Sequence, residues 1–143
     1  MAQDVVVKES LTEAMIRAGA ALTRKLDERR WPVVASLWLY ASEANQWRLL
    51  LASPLVASDG PRKSYEIVQA ALAATPAAEG TMSLSDVGVT EPTAPLISLL
   101  RAAVGTGPVV GGLRFTREVI NGRFIEDAYI YRMSDTAPSG QVA

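Results

Sequence analysis

The stretch LRFTREVINGRFIEDAYIYRM, Leu113 to Met133, decides the fold. Its centre, Asn121-Gly122, is the dipeptide that best tolerates the positive φ angles of a two-residue type I′ turn. Such a turn sets Ile120 opposite Arg123 and fixes every pair behind it. Val119–Phe124, Arg117–Glu126, Phe115–Ala128 and Leu113–Ile130 then share one face, while Glu118–Ile125, Thr116–Asp127 and Arg114–Tyr129 share the other. The first face is mostly apolar and is expected to meet the core. The second is polar and aromatic. Arg117–Glu126 on the first face implies an edge position or a partial desolvation cost.

Moving toward the N-terminus, Gly105-Thr106-Gly107-Pro108-Val109-Val110-Gly111-Gly112 is glycine-rich but lacks the Gly-Lys-Ser/Thr ending of a phosphate-binding loop. It follows a helix and precedes a strand, the reverse of the arrangement that puts phosphate at a helix N-terminus. It reads as a plain loop. Before it, Pro95 to Val104 carries Leu96, Leu99, Leu100 and Ala103 on one helical face, with Thr93 as a candidate cap and Gly105 as the stop. Met82 to Val89 alternates loosely and predicts a short strand. Pro61 to Ala74 predicts a helix with Pro61 at its first position and Tyr65, Ile67, Val68, Ala71 and Leu72 inward.

Val33 to Ser42 and Gln46 to Ser53 are rich in β-branched, aromatic and aliphatic residues and predict a second hairpin. With Ser42 opposite Gln46, Trp38 faces Leu50 and Tyr40 faces Arg48. Leu37, Leu39, Trp47, Leu49 and Leu51 then lie on the other face, although a slip of one residue would reshuffle these partners. Ahead of this hairpin, Leu11, Met15, Ala18, Leu22 and Leu26 mark one face of a helix from about Ser10 to Arg30. Ser10 and Glu13 form a capping-box pattern, and Trp31-Pro32 ends the helix.

The order is α-β-β-α-β-α-β-β. It predicts an α+β domain over 10–133 with a mostly antiparallel sheet of about five strands and helices packed mainly on one face. Residues 1–9 are expected to be a flexible segment and 134–143 a disordered tail.

Composition narrows the chemistry. The 143 residues contain 49% hydrophobic and 20% charged side chains, ordinary usage for a folded domain rather than a disordered chain. There is no His and no Cys. Within one chain this excludes His-based triads, thiolate nucleophiles and Cys or His metal sites. Asp, Glu, Tyr, Lys and Arg remain for proton or charge work. No metal or other cofactor is expected. The formal net charge of −1 gives no bulk attraction to nucleic acid or an anionic membrane. No apolar run approaches the roughly 20 residues of a membrane span, and the N-terminus has no signal-peptide pattern. The cytoplasm is the expected location. Alanine- and arginine-rich, lysine-poor usage suggests a bacterium with a GC-rich genome.

If helices shield one face of the sheet, the other presents Trp38, Tyr40, Arg48, Leu50, Arg114, Tyr129 and Tyr131. Exposed aromatic and arginine surface is what interfaces favour. The competing reading makes these ordinary strand residues or places them under a helix. The sequence therefore leads to a non-catalytic interaction or accessory module, self-associating as a homodimer or docking on a protein partner through that face. Two alternatives remain. One is a single-stranded nucleic-acid binder, supported by the basic cluster Arg24, Lys25, Arg29 and Arg30 but weakened by Asp27 and Glu28 within it. The other is a small enzyme using Thr116, Glu118 and Asp127 with Arg114 and Tyr129 nearby. The ordinary reading of that last group is a cross-strand charge network.

Overall fold

A computed structural model describes residues 10–76, 82–106 and 110–134. The elements are α1 (Glu13–Glu28), β1 (Ala35–Ala41), β2 (Gln46–Ala52), α2 (Leu55–Asp59), α3 (Pro61–Ala74), β3 (Val87–Thr90), α4 (Pro95–Ala103), β4 (Leu113–Ile120) and β5 (Arg123–Met133). The five strands form one mixed, mostly antiparallel sheet in the order β3-β2-β1-β5-β4. The α+β class and element order follow the sequence. The single parallel pair, β2 with β3, arises because α2 and α3 carry the chain back across the sheet.

Two apolar clusters sit on the two faces. One joins Leu22 and Leu26 of α1, Val56 of α2 and Val68 and Ala71 of α3 to Trp38, Tyr40, Trp47, Leu49, Leu51, Val87 and Tyr131 of the sheet. The other joins Ile97 and Leu100 of α4 to Leu37, Ile120, Ile125, Ala128 and Ile130. Three of the four helices thus cover one face. The nine residues of α4 cover the second only in part, leaving Leu39, Leu50, Leu96, Leu99 and Phe115 half-buried.

Several local expectations change. The cap of α1 is Thr12, whose hydroxyl accepts from the Met15 N–H at 3.1 Å, not Ser10. Ala94 rather than Thr93 precedes α4, without a side-chain cap. Leu55–Asp59 forms an extra helical turn, and Leu84–Asp86 is a 3-10 turn where the expected strand begins. The first hairpin closes through four residues, Ser42 to Asn45, with Asn45 at φ 48°, so Ala41 rather than Ser42 opposes Gln46. That slip sets Trp38 opposite Leu49 and Tyr40 opposite Trp47, so Trp47, Leu49 and Leu51 join Trp38 and Tyr40 on the face under α1 and α3.

A bulge in β5 decides how α1 is fastened. Ser36 pairs with Arg132 but Leu37 with Ile130, so Tyr131 is the extra residue. Consecutive side chains, Tyr131 and Arg132, consequently both reach α1. The Tyr131 hydroxyl donates to the Ile16 carbonyl at 2.6 Å and accepts from the Trp38 indole at 2.9 Å. Arg132 grips Asp27 with two bonds, of 3.1 and 2.8 Å. Residues 1–9 and 135–143, read from sequence as flexible segment and tail, lie outside the described residues, as do 107–109 of the glycine-rich loop. Ser134 is buried, and its N–H bonds the Val34 carbonyl at 2.9 Å.

Candidate functional site

The aromatic face expected to be open is closed. Trp38, Tyr40 and Tyr131 are all buried, and only Tyr129 is half-exposed. Burial pushes the Tyr131 hydroxyl well above the ordinary tyrosine range, the Trp38 N–H opposing that shift only in part. A neutral, hydrogen-bonded phenol under a helix is a structural strut. Its neighbour Gly19 explains the close approach: a methyl group there would stand 2.4 Å from the Tyr131 oxygen and 2.7 Å from the Trp38 indole nitrogen.

Arg48 and Leu50, expected beside those rings, lie on the opposite face with Leu37 and Leu39. Leu50 is half-buried beside the α4 cluster, and Arg48 donates to the Val87 carbonyl at 3.0 Å. The single-residue slip in the first hairpin is the whole cause of this separation. The seven residues read as one surface are therefore distributed over two faces.

The second hairpin has the expected register at every pair but one: Arg117 and Glu126 do not pair. Arg117 adopts φ 54°, and this kink exchanges the faces beyond it. Ile125 and Ile120 turn inward to join Ala128 and Ile130, while Val119 and Phe124, expected inward, turn out. Glu118 moves with Ile125, its partner. It is thereby parted from Asp127, whose surroundings belong to the α1 side. The expected Glu118–Asp127 pair does not form.

Asp127, Arg114, Thr116 and Tyr129 do come together. Arg114 holds Asp127 as a fork, Nε to Oδ1 at 2.6 Å and Nη2 to Oδ2 at 2.8 Å, and Thr116 donates to the same Oδ1 at 3.3 Å. The guanidinium carbon stands 5.6 Å from the Trp47 ring centre. The Asp127 hydrogen bond is the largest cause of the raised Arg114 pKa. With both carboxylate oxygens engaged by one guanidinium, the cluster clamps β4 to β5. Among the described residues, no group of three or more Asp or Glu side chains converges as a metal site would require.

The surface offers two other features. Among the described residues, the exposed large hydrophobics are Leu113 (41%), Val119 (65%) and Phe124 (56%), all on the β4–β5 hairpin. Val119 and Phe124 are a directly opposed pair beside the turn. At the other end of the sheet, Arg29, Arg30, Trp31, Lys63, Glu66, Ile67 and Ala70 line a cavity of about 480 Å³. Sequence reading missed both. The outward turn of Val119 and Phe124 depends on one backbone angle, and the cavity joins side chains more than 30 positions apart.

No protein-family model matches the chain, and neither a curated protein nor a solved structure is similar to it. Among the described residues, no helix is long and apolar enough to cross a membrane.

Proposed function

We propose that the protein is a non-catalytic interaction module that self-associates through the β4–β5 hairpin. The observation that carries this reading is the directly opposed, exposed pair Val119 and Phe124 beside the turn of that hairpin. Exposed apolar side chains scattered singly need no explanation, but two large ones facing each other across a hairpin mark a contact surface. β4 is also an edge strand of eight residues. Its kink at Arg117 and the charges of Arg114, Arg117 and Glu118 discourage continuous edge pairing. Contact through side chains at the tip fits better than extension of the sheet.

A second copy suits this surface because a two-fold contact sets the same patch against itself, so the Val119–Phe124 pairs of two chains can bury one another. A cysteine-free chain of this size is at home in a reducing cytoplasm, where we place it.

Sedimentation of the full chain across a concentration series tests the proposal. The expected result is a mass rising toward twice 15.3 kDa, reverting to one chain in Val119→Asp and Phe124→Asp. A single-chain mass at every concentration, or a dimer indifferent to both substitutions, overturns it.

A further inference from the structure

We infer that the cavity between the end of α1 and one side of α3 binds the phosphate group of a small phosphorylated ligand. Its walls bring together three cations from two distant segments. Arg29 and Arg30 follow α1, and Lys63 stands in the first turn of α3. All three are exposed, and none has an ion-pair partner among the described residues.

The neighbouring carboxylates do not neutralise them. Asp27 is used by the buried Arg132, and Glu28 pairs with Lys25 at 3.1 Å. The acidic residues that weaken the basic cluster in sequence are thus spent elsewhere in three dimensions. Glu66 is the one carboxylate among the described lining residues. The negative end of α1 is also blunted: the N–H groups of Arg29, Arg30 and Trp31 bond the carbonyls of Lys25, Asp27 and Leu26, each at 3.0 Å.

A second, independent observation comes from Trp31. It lines the cavity and is 3% exposed, yet its indole nitrogen is buried without an acceptor among the described residues. Buried donors are nearly always satisfied, so an orphan donor on a residue that lines the same cavity as the three cations fits an acceptor supplied by a ligand.

The chemistry selects phosphate. Two guanidinium forks and one ammonium match a phosphoryl group with several oxygens better than a single carboxylate. The volume, about 480 Å³, holds more than the phosphate alone. Glu66 can accept from a hydroxyl or amine on the remainder of the ligand. The cavity lies at the end of the sheet away from the β4–β5 turn, so this inference stands apart from self-association.

The test uses the full chain labelled with nitrogen-15 and inorganic pyrophosphate as the probe. The three indole N–H resonances are assigned with Trp31→Phe. The expected result is a saturable shift confined to the Trp31 indole, half-complete at or below about 1 mM in ordinary buffer. Arg29→Ala and Lys63→Ala, both at exposed positions, should each raise the half-saturation concentration about tenfold while leaving the Trp38 and Trp47 indoles in place. No saturable shift up to about 10 mM, or a shift indifferent to both variants, overturns the inference. So does tighter, steeply salt-dependent binding of a single-stranded oligonucleotide through the same residues, which would assign the patch to nucleic acid.

Discussion

Asp27→Asn should be among the most damaging single-atom changes in this protein, and the structure says by how much. The Arg132 side chain is 1% exposed and donates to Asp27 twice and to the Val33 carbonyl at 2.9 Å. Its Nε has no partner among the described residues. Asparagine preserves the shape of Asp27 but removes the charge and turns an NH₂ group toward the guanidinium. Breaking a buried ion pair from one side costs about 3–5 kcal/mol. Asp27 retains 22% side-chain exposure, so water screens the pair and the loss should be near the lower end, about 3 kcal/mol.

Arg132→Met should be milder, about 1–2 kcal/mol, because it leaves one carbonyl unpaired and a carboxylate that water reaches. The double variant should then resemble Arg132→Met alone. Urea denaturation followed by tryptophan fluorescence reads all three, since Trp31, Trp38 and Trp47 are all buried. With a slope of about 2 kcal/mol/M, Asp27→Asn should lower the midpoint by about 1.5 M. A loss below about 1 kcal/mol, or single losses that simply add in the double variant, would refute the reasoning.

Other consequences follow from the same packing. Tyr131 has a raised pKa in the folded state, so its contribution to stability is complete below the ordinary tyrosine pKa of about 10 and is lost as pH climbs beyond it. Tyr131→Phe should flatten that alkaline decline while costing about 1–2 kcal/mol at neutral pH, measured by denaturation at a series of pH values. Gly19→Ala gains helix propensity of up to about 1 kcal/mol, yet the new methyl meets Tyr131 and Trp38 where neither can move freely. A net loss of about 1–2 kcal/mol is expected, and a stabilised variant in thermal unfolding would contradict the close approach.

The second hairpin was legible because its turn chemistry is local. Asn121-Gly122 fixes the register, and the register fixes who faces whom across the two strands. The first hairpin was less legible because Ser42 to Asn45 contains no comparable dipeptide. A three-residue and a four-residue closure fit the pattern equally well, yet they put Tyr40 opposite different partners. Since side chains alternate every residue, that ambiguity moved Arg48 and Leu50 away from the rings, while the packing of α1 and α3 over the rings closed the expected aromatic surface. Asp127 with Arg114 and Thr116 was foreseeable from cross-strand pairing. The loss of Glu118 from that group was not, because it follows from the φ angle of Arg117.

Alternation, helical spacing and turn residues determined by themselves the five strands, the three longer helices, their order and the α+β class, all of which depend on neighbours along the chain. Only the tertiary structure decided which surfaces stay open. The Tyr131 bulge fastens α1 over the tryptophans, the Arg117 kink turns Val119 and Phe124 outward, and Arg132 draws Asp27 away from Arg29 and Arg30. Each is a contact or a backbone angle set by packing between distant segments, where the free energy of burial outweighs local preference.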